Sequence, residues 1–188
     1  MTERERLSRV RWKRLTSRPI YRNRWVELRE DQVELPDGRT TLYGVVHSGS
    51  GECVGILPFL DPDTVLLVGQ YRYVAGDFFW EMPTGGMHPG ETMEEAAQRE
   101  LAEEAGHTAR RLTLLTSFHT SKSVMEETAH LFIGEDLVPV ARRAADPTEF
   151  IEVRPVPFEE TLQMVLDGRI KDAMTIIAVL HAARLKGR

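Results

Sequence analysis

The sequence predicts a mixed α/β sandwich, and three observations lead there. Short apolar runs bounded by Gly, Pro and Asp punctuate residues 24–70. A single capped, acid-rich helix follows near residues 92–106. Strand patterns resume after it, and two helical patterns close the chain, so strands lie on both sides of one helix in sequence.

Trp25-Val-Glu-Leu, Gln32-Val-Glu-Leu, a Pro36-Asp37-Gly38 turn and Thr41-Leu-Tyr-Gly-Val-Val read as a β-meander within residues 24–57. Ser48-Gly-Ser-Gly51 turns the chain into the apolar strand Val54–Leu60. Asp61-Pro62-Asp63 turns it again into Thr64–Gln70, whose unbroken apolar run fits a strand buried on both faces. Further strands are expected at Leu112–Phe118, Ala129–Gly134 and Phe150–Val156. A helix over Phe158–Leu166 should stop at Gly168, and Asp172 can cap another over Ala173–Leu185.

The central helix is the most informative element. Thr92 followed by Glu95 is a capping-box pattern, and Gly106 is a natural stop. Met93, Ala96, Ala97 and Leu101 can face the core. Glu100, Glu103 and Glu104 fall within roughly 100° of arc on the other side, directed outward. Six glutamates (91, 94, 95, 100, 103, 104) against Arg99 give this window a charge of −5, equal to the net charge of the whole chain. Like charges at i,i+3 and i,i+4 each cost a helix about 0.2–0.5 kcal/mol. A hard divalent cation among the carboxylates would relieve that cost; a solvated acidic face is the plainer alternative. Arg99, one turn before Glu103, can orient that carboxylate.

Length and composition narrow the class. A chain of 188 residues, 41% apolar and 28% charged, suits a soluble globular domain with a real core. A pI near 5.7 argues against general nucleic-acid affinity. Cys53 has no partner for an internal disulfide, Met1–Arg14 lacks the apolar core of a signal peptide, and no apolar run approaches a membrane span. A cytoplasmic protein is expected. Six basic side chains in the first 14 residues (Arg4, Arg6, Arg9, Arg11, Lys13, Arg14) could touch phosphate, but they read better as a solvated or frayed end.

From Gly85 to Gly106 the chain resembles the signature of the Nudix hydrolases: Gly, five residues, Glu, seven residues, Arg-Glu, an apolar residue, any residue, Glu-Glu, any residue, Gly, an apolar residue. Gly85, Glu91, Arg99, Glu100, Leu101, Glu103, Glu104 and Gly106 match, and His107 replaces the usual aliphatic residue. The resemblance implies the Nudix α/β/α sandwich with a mixed sheet. It also implies an N-terminal antiparallel β-subdomain at residues 1–45, contributing to a homodimer, and a hydrolase domain at 46–188. Glu100, Glu103 and Glu104, with the Thr84 carbonyl, would bind Mg²⁺ or Mn²⁺, while Glu91 braces the loop.

Gln70-Tyr71-Arg72 and Glu81-Met82-Pro83-Thr84-Gly85 are similar to elements of the ADP-ribose and nucleotide-sugar pyrophosphatases. By that resemblance Arg72 meets the substrate diphosphate, Glu81 the nucleoside, and Trp80, with Phe78 and Phe79, stacks a base. Glu149, with Glu152 in reserve, lies in a segment similar to the loop that carries the general base. Glu103, Arg99 and Glu149 are therefore the expected catalytic residues. The implied substrate is a nucleoside diphosphate sugar, ADP-ribose first. Relatives that use ADP-ribose carry a proline about 15 residues beyond the box, whereas Ser117–Glu127 has none. That departure favours another sugar nucleotide such as GDP-mannose, with Lys122 and His119 facing its distal part. A sensor that binds a nucleotide without cleaving it is the reading from a different class. Neither a membrane nor a nucleic-acid partner is expected.

Overall fold

The computed structural model describes residues 2–141 and 150–187. The chain forms two compact units: one from the chain up to Gly51 with His119–Glu127, the other from Glu52–Phe118 with the chain from Thr128 onward.

In the first unit a short helix α1 (Glu3–Leu7) precedes a three-stranded antiparallel sheet of β1 (Lys13–Arg22), β2 (Val26–Glu34) and β3 (Thr40–Ser48), in that order. Sequence pattern divides β2 into two runs, because Arg29-Glu-Asp31 interrupts the apolar residues. The strand continues through them because the polar side chains find partners: Glu30 with Arg18 at 2.8 Å, Asp31 with Arg29 at 3.2 Å. β1 carries no burial periodicity at all, since every residue is exposed. Its strand character rests on backbone pairing to β2, with Arg14, Arg18 and Arg22 facing Asp31, Glu30 and Glu27. Part of the basic N-terminal stretch is thus solvated, as its charge suggests, but ordered as a strand.

The second unit holds a mixed sheet. Its strands are β4 (Glu52–Asp61), β5 (Thr64–Arg72), β6 (Asp77–Glu81), β7 (Thr84–Gly86), β8 (His107–His119), β9 (Thr128–Pro139) and β10 (Glu152–Pro157). The order is β10-β5-β4-β9-β8, with β6 on β5 and β7 on β4. β4 runs parallel to β9 and antiparallel to β5 and β7. Helix α2 (Met93–Ala105) covers one face, and α3 (Phe158–Leu166) and α4 (Ala173–Leu185) the other.

Alternation along the two central strands explains the layers. Val54, Ile56, Leu66 and Val68 pack with Ala96, Ala97 and Leu101 of α2. Leu57, Phe59, Val65 and Leu67 pack with Phe158, Ala178, Val179 and Ala182 beneath α3 and α4. These side chains are almost entirely buried, and a fully buried aliphatic or Phe side chain is worth about 1.5–3 kcal/mol. α3 and α4 span the residues that periodicity predicts, and Asp172 caps α4 by accepting from the Thr175 amide. β8 begins directly after the α2 stop at Gly106, earlier than its apolar run suggests.

Candidate functional site

Helix α2 is capped as its sequence requires. Thr92 Oγ1 accepts from the Glu95 amide, and the Glu95 carboxylate accepts from the Thr92 amide. Gly106 ends the helix at φ 65°, a left-handed conformation that costs glycine little. Gln98 ties the helix to β8 by donating to the Ala109 carbonyl at 2.6 Å and accepting from its amide at 2.9 Å. No sequence signal marks Gln98 for that role, since its partner is eleven residues away.

The carboxylates are not turned out to water. Glu100 is 8% exposed and Glu104 3%, while Glu103 is half-buried. This corrects the outward face expected from the helical wheel: β7 and the glycine loop lie over that side of α2. Thr84, at the start of β7, donates its amide to Glu104 Oε2 at 2.9 Å. A Cβ on Gly85 would overlap the Glu100 carboxylate, so only glycine leaves room for it.

Arg99 organises the set. Its Nε and Nη2 fork onto Glu91 at 2.7 and 3.0 Å, Nη1 donates to Glu100 Oε1 at 2.7 Å and Glu103 Oε2 at 3.2 Å, and Nη2 also reaches the Gly86 carbonyl at 2.8 Å. Glu91 accepts the His88 amide at 2.8 Å as well, which braces the loop entering the helix. The Arg99 fork holds the Glu91 carboxyl down at about 2, and Glu91 in turn raises Arg99.

That depression has a testable consequence. A carboxyl titrating near 2 in the fold, against about 4.5 as its ordinary value, adds stability above pH 5 that is lost as pH falls from 4.5 toward 2. Allowing for the fifth of the side chain that meets water, the contribution is of order 2 kcal/mol. Urea midpoints should therefore drop between pH 5 and 3 in the wild type. Glu91→Gln should start lower at pH 7 and show a flatter profile. Equal profiles would contradict the pairing.

Across the sheet, Arg72 donates from Nε to Glu81 Oε1 at 2.8 Å, with Nη2 at 2.7 Å from the same oxygen. Glu81 is 3% exposed; burial pushes its carboxyl up, opposed by Arg72. Glu81 lies opposite Val68, so it shares the α2 face of the sheet. Its neighbour Trp80 points to the other face, edge-on to Phe78 at 5.4 Å and beneath the Arg154 guanidinium at 5.5 Å. The structure therefore brings Thr84, Arg99, Glu100, Glu103 and Glu104 together, and pairs Arg72 with Glu81. Trp80 stands apart from both groups. Lys122 is an exposed residue of the first unit, and Glu149 lies outside the described residues. Glu152 begins β10 opposite Gly69.

Three carboxylates (Glu91, Glu100, Glu103) contact one guanidinium, and with Glu104 beside them on the Thr84 amide the formal balance is −3 in a half-buried cluster. Among the described residues no three His, Cys, Asp or Glu side chains converge in a group that could hold a metal ion; Arg99 and the Thr84 amide occupy carboxylate oxygens instead. By charge and by its hard oxygen donors the set nonetheless fits a divalent cation.

Fold and site define an α/β sandwich whose acidic helix gathers carboxylates around one arginine beneath a glycine loop. The model of the NUDIX domain matches residues 50–175, and that of the nucleoside diphosphate sugar hydrolase N-terminal domain matches residues 12–46. The chain is 34% identical to an ADP-ribose pyrophosphatase of Bacillus subtilis (strain 168) over 171 residues, covering 90% of this chain and 91% of the relative. It is 32% identical to a methanol dehydrogenase activator of Bacillus methanolicus over the same shares of both chains. A crystal structure of an ADP compounds hydrolase superposes with a TM-score of 0.84 at 24% identity, over 95% of this chain and 96% of that one. The chain belongs to the Nudix family and is a Nudix hydrolase. Hydrolases of this family generally use divalent metals.

Proposed function

We propose that the protein hydrolyses the diphosphate bond of ADP-ribose or a related nucleoside diphosphate sugar, giving a nucleoside monophosphate and a sugar phosphate. The observation that carries this is the Arg99-centred set of Glu91, Glu100 and Glu103, with Glu104 held by the Thr84 amide. The name of the Bacillus subtilis relative and the match to the nucleoside diphosphate sugar hydrolase N-terminal domain support the substrate class.

Glu100, Glu103, Glu104 and the Thr84 carbonyl would hold Mg²⁺, with Mn²⁺ as a substitute. When bound, the metal polarises phosphoryl oxygens and lowers the pKa of a water. The protein's own part is to hold those carboxylates in place and to balance charge. Water adds to one phosphorus, the bond from that phosphorus to the bridging oxygen breaks, and the bridging oxygen leaves on the other phosphate. The water's proton passes to a general base, for which Glu149 is the candidate and Glu152 the reserve. Arg72, held by Glu81, is assigned to the diphosphate and Glu81 itself to the nucleoside side. Trp80 and Lys122 complete the proposed contact set, Trp80 for a base that reaches round β6.

A homodimer built through residues 1–45 is part of the proposal. In the first unit Trp12, Ile20 and Leu42 are 47%, 47% and 63% exposed, apolar side chains that a partner copy would cover. Cytoplasmic residence is proposed with it. The absence of proline from Ser117–Glu127 favours a second reading, a hexose nucleotide such as GDP-mannose.

Product analysis with Mg²⁺ over ADP-ribose, GDP-mannose, ADP-glucose, UDP-glucose and coenzyme A tests these readings. Preference for ADP-ribose supports the first, and preference for a hexose nucleotide the second. Glu103→Gln is expected to lower turnover by about 100-fold or more while substrate still binds. A sensor would show no turnover in the wild type and unchanged affinity in the variant.

A further inference from the structure

The stretch Glu81–Thr84 carries two parts of the site. Glu81 anchors Arg72, and the Thr84 amide holds Glu104. Between them, the Pro83 carbonyl accepts from the Ile56 amide on β4 at 3.0 Å. Met82 is fastened from the other layer: its amide donates to Thr175 Oγ1 at 3.0 Å, 93 residues further along the chain. Met82 and Thr175 are both fully buried at 0% exposure, so this amide has no water to turn to.

Thr175 is itself locked. Its amide and its hydroxyl both donate to Asp172 Oδ2, at 2.7 and 2.6 Å. With its only hydroxyl hydrogen committed to Asp172, Oγ1 is left as the acceptor for Met82. The capping carboxylate of α4 therefore aims an acceptor at the strand segment that enters the site. A cap needs only the amide contact; the hydroxyl contact and the Met82 bond are additional.

We propose that Thr175, locked by Asp172, is a positioning residue: through the Met82 amide it sets the Glu81–Thr84 stretch, and with it both the Arg72–Glu81 pair and the Thr84–Glu104 bond. Its kinetic consequence rests on the function proposed above; its structural consequence does not. A purely structural Thr175 would satisfy a buried amide and affect stability alone.

Thr175→Val keeps the shape and removes the acceptor, whereas Thr175→Ser keeps the acceptor. Four readouts separate the cases, all taken well below the melting temperature of each variant: exchange of the Met82 amide by NMR, Mn²⁺ affinity without substrate, and kcat and KM for ADP-ribose. In Thr175→Val, Met82 exchange should rise at least about tenfold, with Mn²⁺ affinity and kcat/KM each falling about tenfold. Thr175→Ser should stay within about twofold of wild type in all of them. The proposal is overturned if Thr175→Val lowers only the melting temperature, or if Thr175→Ser loses as much as Thr175→Val. Should the valine variant not fold, Thr175→Ala is read by the same criteria. If the wild type cleaves no diphosphate, the functional reading fails, while Met82 exchange and Mn²⁺ affinity still decide the role of Thr175.

Discussion

Replacing Arg99 with lysine is expected to cut kcat by about 100-fold and to destabilise the protein by about 2–4 kcal/mol. The guanidinium serves three carboxylates and the Gly86 carbonyl from one planar fork. An ammonium keeps the charge but is a compact point that cannot reach Glu91 in two places while contacting Glu100 and Glu103. Glu91 would then lose the bidentate contact that brackets the loop, and two carboxylates on α2 would repel each other with less compensation. Turnover of the preferred substrate and urea unfolding at pH 7 check both numbers. Wild-type turnover in a folded Arg99→Lys protein would show that only the charge matters.

Gly85→Ala is expected to separate activity from stability. The added methyl overlaps the far end of the Glu100 side chain, which must leave its place beside Arg99 at a cost of about 1–3 kcal/mol. That move displaces a proposed metal ligand, and a misplacement of about 1 Å near the reacting groups can cost 100-fold. A melting temperature lower by roughly 2–12 °C in a protein still folded at the assay temperature, with kcat reduced about 100-fold, is the expected outcome. Unchanged kcat would remove Glu100 from the proposed metal ligands. A companion titration with Mn²⁺ should show weakened binding in the same variant.

The parts of the fold that were legible in advance share one property: their determinants lie within a few residues of one another. The capping box of Thr92 and Glu95, the stop at Gly106 and the Asp172 cap are local hydrogen bonds or local backbone preferences. The buried runs of β4 and β5 and the helices α3 and α4 follow from apolar periodicity. β1 escaped that reading because a strand exposed along its whole length has no pattern of burial to display. The polar centre of β2 looked like a break because Arg18, the partner of Glu30, belongs to another strand.

The site divides in the same way. Spacing along one helix was enough to gather Glu100, Glu103 and Glu104 on one side, and enough to bring Arg99 within reach of Glu103. It could not tell whether that side met water or protein, because the cover is supplied by β7 from outside the helix. Nor could it place Trp80, whose face follows from the strand register that pairs Glu81 with Val68.

By itself the sequence determined the acidic helix, its caps, its glycine loop and the succession of strands and helices around it, since each depends on short-range sterics and hydrogen bonding. Only the tertiary structure decided that Glu100 and Glu104 are buried, that Arg99 binds Glu91 more completely than Glu103, and that Thr175 meets Met82. Those contacts join residues beyond the reach of one helix turn, on the loop before α2, on another strand or in another layer. They exist because packing the two cores brings these groups together and shuts out the water that would otherwise satisfy them.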